Sequence, residues 1–140
     1  MSLPGSYRLV EGPPGVEDYL QLRLRAGLSP KRPDQAAAAI GGAWAAAHVV
    51  SDSGGAVGMG RILGDGGWYF HVLDMAVLPE HQRRGLGDAI LTPLLDRIRR
   101  DAPPGAYVCL MADPPGENLY QRHGFRPTAA GSVGMVQHLE

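Results

Sequence analysis

The chain has 140 residues, 44% of them hydrophobic, and a formal net charge of −1. That length and composition suit one domain with a buried core and exclude wholesale disorder. Thirteen basic against 14 acidic groups leave no electrostatic footprint for nucleic acid or for an anionic membrane. Twenty Gly and 12 Pro mark frequent turns but fall short of a low-complexity chain. A single cysteine, Cys109, excludes an internal disulfide framework and a multi-cysteine zinc site. The opening MSLPGSYRLVEG has no apolar signal core, and the longest apolar stretch, 43–50, is far below the roughly 20 residues of a membrane span. A cytoplasmic single domain over residues 1–140 is the expectation.

In chain order, residues 7–11 read as a first strand, closed by Gly12-Pro13-Pro14-Gly15. A helix follows from Val16, with Glu17 and Asp18 in its first turn, where carboxylates suit the positive end of the dipole. Ser29-Pro30-Lys31-Arg32-Pro33 is a loop, and Asp34 is positioned to cap a short second helix running through the alanines to Ile40. Residues 43–51, 56–63 and 68–77 read as three strands of an antiparallel meander, joined by Gly-rich turns that supply positive φ. A third helix begins after Gln82–Gly85, with Leu86, Ile90, Leu91, Leu94, Leu95 and Ile98 on one stripe. Pro93 conflicts with that helix and predicts a bend. Residues 106–112 form a short apolar run, expected to lie parallel to the long strand because a helix crosses between them. A short helix over 117–123 ends at Gly124, and 133–139 reads as a final strand.

The segment Leu73–Val77, Leu78–His81, Gln82–Gly87 is a strand, a loop and a helix start. A helix start leaves about four main-chain N–H groups unpaired. Gly85 and Gly87 let that backbone approach a ligand without a Cβ in the way. Together they form a seat for phosphate oxygens. The Gly-Lys-Ser/Thr of a P-loop is absent, and Ile90 stands where a dinucleotide fingerprint needs its third small residue.

Gln82-x-x-Gly85-x-Gly87, after a strand ending Met75-Ala76-Val77-x-Pro79, resembles motif A of the GNAT superfamily of acyl-CoA-dependent N-acetyltransferases. Asn118-Leu-Tyr120-Gln-Arg-His-Gly124-Phe125 resembles that family's motif B. The order of elements is similar as well. The resemblance implies an α/β (α+β) fold, a GNAT-like acyl-CoA N-acyltransferase with a mixed central sheet of about six to seven strands flanked by about four helices. It implies acetyl-CoA as cosubstrate, no metal, and an amine acceptor. It places the coenzyme A pyrophosphate on the main-chain amides of Arg83, Arg84, Gly85, Leu86, Gly87 and Asp88, behind Gln82. The Arg83 and Arg84 side chains read equally as a solvated basic edge. The Asp88 carboxylate should turn away from phosphate. The pantetheine arm lies along Met75, Ala76 and Val77, where a β-bulge near Met75 would free backbone groups for the thioester. Asn118 contacts the cofactor or caps the local turn.

Tyr120 matches the family's general acid, with a phenol that stays protonated at neutral pH. For the base the reading is His71, on the strand face of Leu73 and Met75 by period-2 alternation. A histidine with no catalytic role fits the same position, and Asp74, Glu80 or water are the alternatives. Asp74 takes the opposite face unless the bulge reverses the parity. Cys109 reads as a small buried hydrophobe rather than a nucleophile. His48, His81, His123 and His138 show no metal-ligand spacing. Trp44, Trp68 and Tyr69 read as core, although an aromatic by the acceptor cleft would suit an apolar amine. Gly124 and Phe125 read as a helix stop and a core anchor.

Three functions are weighed. One is acetyl transfer to a primary amine by direct attack in a ternary complex, with a small molecule as the default acceptor over a protein Lys or N-terminus. The second is a non-catalytic acyl-CoA-binding module of the same fold, and the third an unrelated small α/β binding domain. Proteins of the resembled family are often homodimers.

Overall fold

A computed structural model describes residues 3–140. They form two units, one running through Leu110 and the other Met111–Glu140. The first unit contains strand β1 (Tyr7–Glu11), helices α1 (Val16–Arg25) and α2 (Pro33–Ile40), strands β2 (Ala45–Ser51), β3 (Ala56–Gly64) and β4 (Tyr69–Val77), helix α3 (Leu86–Asp101) and strand β5 (Tyr107–Leu110). The five strands make one sheet in the order β1-β2-β3-β4-β5. Every neighbouring pair is antiparallel except β4 and β5, which run parallel across the α3 crossover.

Most elements follow from local chemistry. Glu17 and Asp18 open α1 and Arg23 and Arg25 close it, in line with the helix dipole. α2 starts two residues earlier than the sequence suggests. Its N-cap is Arg32, with Pro33 at the first helical position and Asp34 inside the first turn. The Arg32 main-chain N–H donates to Gln35 Oε1 at 3.0 Å, which replaces the expected Asp34 cap. β4 starts at Tyr69 rather than Trp68, because Asp65 Oδ1 accepts the N–H groups of Gly67, Trp68 and Tyr69 at 2.8, 2.9 and 3.1 Å and holds Trp68 in the turn. α3 continues unbroken through Pro93.

The core lies on both faces of the sheet. Leu22, Val49, Met59, Ile62, Phe70, Leu86, Ile90 and Leu91 are fully buried, each contributing roughly 1.5–3 kcal/mol of apolar burial. Gly60 and Arg61 show which helix takes which face. A Cβ on Gly60 would meet Ile90 and Leu94 of α3. The adjacent Arg61 points the other way, donating to Asp74 and to the Ala39 carbonyl of α2. Helices α1 and α2 therefore cover one face and α3 the other.

The second unit contains a 3₁₀ turn at Pro114–Gly116 and helix α4 (Glu117–Arg122). Gly124, at φ +88°, stops α4 as the sequence predicts. Phe125 packs edge-on against Tyr120 with ring centroids 6.0 Å apart, although it is half-buried rather than a deep anchor. The expected final strand over 133–139 is not formed. Val133, Met135, Val136 and Leu139 are 78–91% exposed, and the sheet has five strands instead of six or seven. A strand exists only where a neighbour supplies ladder partners, and an alternating sequence alone cannot provide them.

Candidate functional site

The site is built around a break in β4. Arg61 pairs with Leu73, but Met59 pairs with Ala76, so Gly60 alone faces both Asp74 and Met75. That is a β-bulge, with Asp74 at φ +59°. It corrects the expected side-chain parity. Leu73 and His71 stay on the α1/α2 face, but Met75 crosses to the α3 face, where its Sδ would lie 2.3 Å from any Cβ on Gly60. A glycine is required there for the thioether to pass.

The bulge also brings Asp74 onto the α1/α2 face. Its carboxylate accepts Tyr19 Oη at 2.6 Å and Arg61 Nε at 2.5 Å, and it pairs with Arg23. Burial favours the neutral acid, but these hydrogen bonds and the two guanidinium charges outweigh it and hold the Asp74 pKa below the ordinary value. Asp74 is thus a committed anion that ties α1 to the sheet, ill-suited to accept a proton. Glu80 is exposed and paired with Arg25, its Oε1 2.8 Å from Arg25 Nη2.

β5 pairs with β4 only from Tyr69↔Tyr107 to Val72↔Leu110. Beyond Val72, β4 continues through Leu73–Val77 with no strand paired on that side among the described residues. That half of β4, the wall of the candidate site, is the bulged strand carrying Met75, Ala76 and Val77. The wall leads through a 3₁₀ turn at Pro79–His81 into the start of α3. Gln82 Nε2 donates to the Val77 carbonyl at 3.0 Å and pins the loop to the strand end.

At that start, Arg83 and Gly85 have φ of +61° and +80°, while Arg84 between them does not have positive φ. Alternating handedness of this kind turns successive N–H groups toward one point. The first bond closing α3 is Ala89 N–H to the Gly85 carbonyl. Among the described residues, none of the N–H groups from Arg83 to Gly87 donates to a main-chain carbonyl. They form a cradle of donors at the positive end of a 16-residue helix. Arg84 Nη1 donates to Tyr7 Oη at 2.7 Å, and that hydroxyl also meets His81 Nδ1 at 2.7 Å, so the Arg84 guanidinium is held beside the loop. Arg83 is exposed and Asp88 half-buried.

His71 lines a pocket of about 540 Å³ with Leu63, Gly64, Asp65, Tyr69 and Leu73. Burial lowers its pKa below 6.5, so the ring is neutral at pH 7. Its Nδ1 lies 3.4 Å from Cys109 Sγ, and Nε2 has no hydrogen-bond partner among the described residues. Cys109 is half-buried rather than buried, and its sulfur also lies 3.3 Å from Tyr69 Oη. Tyr69 stacks on Tyr107 at 5.9 Å. Trp44, by contrast, is half-buried and packs on buried Phe70 at 4.9 Å.

The first unit thus carries His71 and Met75–Val77 along β4 and Gln82–Asp88 at the start of α3. In the second, Tyr120 and Asn118 share α4. The Tyr120 phenol is pushed above its ordinary pKa, first by burial and then by Asp113, so it is a protonated donor at neutral pH. Asn118 is exposed and makes no capping bond. Asp65 and the Cys109–His71 contact were not singled out from the sequence. Asp65 is hidden in an Asp-Gly-Gly turn, and Cys109 meets His71 only through the β4–β5 register.

A family model for the GNAT acetyltransferase domain matches residues 43–127. The chain belongs to the GNAT acetyltransferase family. A probable acetyltransferase of Staphylococcus aureus is 34% identical to this GNAT protein, with a TM-score of 0.90 over 95% of this chain and 99% of the other. A GNAT-family acetyltransferase of Streptococcus pneumoniae, 22% identical, shares the fold with a TM-score of 0.78 over 95% of this chain and 98% of the other. No curated protein matches the sequence. Among the described residues no helix is long and apolar enough to cross a membrane, and no cluster of His, Cys, Asp or Glu could hold a metal ion.

Proposed function

We propose that this GNAT protein transfers the acetyl group of acetyl-CoA to a primary amine of a small molecule, by direct attack in a ternary complex, and that residues 1–140 act as one cytoplasmic catalytic domain. The observation that carries the reading is the amide cradle from Arg83 to Gly87 at the end of a strand that β5 leaves uncovered. A diphosphate needs several convergent donors, and the cradle supplies them. An acyl-pantetheine arm needs a narrow cleft with unpaired backbone, and the bulged half of β4 supplies that. Met75, Ala76 and Val77 would line the arm. Arg84, held by Tyr7, adds charge at the diphosphate, with Arg83, Gln82 and Asp88 framing it. Asn118 contributes from α4.

An alkylamine arrives mostly protonated at pH 7 and must lose a proton before its nitrogen can attack. His71 Nε2, neutral and unpartnered, is the acceptor. The nitrogen lone pair then forms the C–N bond to the thioester carbonyl, and main-chain N–H groups at the bulge stabilise the oxyanion. The C–S bond breaks, and Tyr120 gives its phenolic proton to the departing thiolate. The attacking nitrogen gives up its second proton as the intermediate collapses, solvent carries that proton back to the Tyr120 phenolate, and His71 releases the first to bulk water. The products are the N-acetylamine and free coenzyme A.

Calorimetric titration with acetyl-CoA and a thiol-release assay over an amine panel test the proposal. Binding with turnover on at least one amine is expected. Binding without turnover on any amine or peptide leaves a non-catalytic acyl-CoA module, and no binding at millimolar ligand removes the reading altogether.

A further inference from the structure

The pocket beside His71 has an unusual balance of chemistry. Leu63, Leu73 and the Tyr69 ring make its walls apolar, and its lining contains no Lys or Arg. The nearest cation on that face of β3, Arg61, is two residues from Leu63, lies outside the lining, and is buried with its Nε donating to Asp74 and its Nη1 to the Ala39 carbonyl. The only charge in the lining is Asp65. Its Oδ1 is held by three main-chain N–H groups, which fix the carboxylate in place, and among the described residues Oδ2 has no partner. Trp68, Tyr69 and Tyr107 are exposed nearby along the β4 and β5 starts, 61%, 41% and 48% accessible.

We infer that the acceptor is a cationic amine on an apolar, preferably aromatic, body that carries no carboxylate or phosphate. This rests on the acetyl-transfer reading and narrows it. An acceptor carboxylate would meet apolar walls with no guanidinium or ammonium in the lining and with Asp65 opposing it, an unfavourable like-charge encounter. An ammonium meets the opposite situation. Asp65 attracts the charged amine to the pocket, and His71 takes the proton once the amine is inside. The apolar walls then favour an alkyl or aryl body over a sugar or a peptide backbone, whose polar groups would find no partners there.

The test compares 2-phenylethylamine, phenylalanine and phenylalaninamide as acceptors at saturating acetyl-CoA. Phenylalaninamide has the bulk of the amino acid without its charge. Expected is a kcat/KM for 2-phenylethylamine about threefold or more above phenylalanine, the scale of an exposed charge pair, with phenylalaninamide recovering most of the difference. Asp65→Asn keeps the Oδ1 acceptor for the turn and removes the charge. It should raise KM for 2-phenylethylamine about threefold, the scale of an exposed ion pair, with kcat little changed. Phenylalanine turned over as well as the amine, or an Asp65→Asn variant with unaltered KM, overturns the inference while acetyl transfer stands. Acetyl-CoA binding with none of the three acetylated, and only a protein N-terminus or Lys accepted, overturns both the small-molecule reading and this one.

Discussion

Asp74→Asn tests the separation between structural and catalytic carboxylates most sharply. In the native chain Asp74 is 8% exposed and is the shared counter-ion of Arg23 and Arg61, whose side chains are 11% and 10% exposed. The amide keeps the shape but leaves two nearly buried guanidinium charges with no anion. Removing one partner of a buried ion pair costs about 3–5 kcal/mol. Unfolding entropy near the midpoint is about 0.3 kcal/mol per K for a chain of this length, so Tm should fall by roughly 10–17 °C. The pH dependence follows from the lowered Asp74 pKa. The folded state binds its proton less readily than the unfolded state. The stabilisation is therefore complete above the unfolded value of 3.8 and is lost as pH falls through the lower folded value. Calorimetric scans of both proteins from pH 7 into the acid range should show the gap between them closing. Replacing Arg23, Arg61 and Asp74 together by Met, Met and Leu should recover most of the loss, because the penalty lies in the unpaired charges. Acetylation by Asp74→Asn, assayed below its Tm, should keep the wild-type pH profile. A Tm drop under about 3 °C would refute the buried-charge argument, and loss of the rise in rate with pH with the fold intact would make Asp74 the base after all.

Other substitutions probe the chemistry directly. The wild-type rate should rise with pH to a plateau with an apparent pKa below 6.5, since burial favours neutral His71; His71→Ala should flatten that rise, and an unchanged profile moves the base elsewhere. Tyr120→Phe should lower kcat by about 10²-fold or more, as for loss of a general acid, with acetyl-CoA affinity by calorimetry nearly unchanged. Full activity would remove Tyr120 from that role. Because its pKa is raised above 10, the native enzyme should show no loss of its acid below pH 10. Gly85→Val, at φ +80°, should weaken acetyl-CoA binding by at least about tenfold through backbone strain of roughly 1–2 kcal/mol and obstruction of the cradle. Gly85→Asn, which tolerates the left-handed region, should lose less, and equal affinities for all three proteins would show that the loop does not seat the cosubstrate.

The sequence alone carried what depends on local spacing. The apolar stripe from Leu86 to Ile98 made α3, the Asp-Gly and Gly-Gly turns made the meander, and the Gly85-x-Gly87 start with its motif partners pointed to the family. Period and turn chemistry act over a few residues, so they survive without a fold around them. Tertiary structure decided the rest. The parity flip at Asp74 and Met75 comes from a pairing with β3 in which Gly60 leaves room for the Met75 thioether. Asp74 became an anchor because Tyr19, Arg23 and Arg61 converge on it from distant parts of the chain. The 133–139 segment, strand-like by composition, has no ladder because sheet hydrogen bonds belong to pairs of strands and not to one. The charge of the pocket beside His71 was likewise unreadable. It depends on which arginine had already been claimed and on where a turn aspartate was held, and neither can be counted along a line of residues.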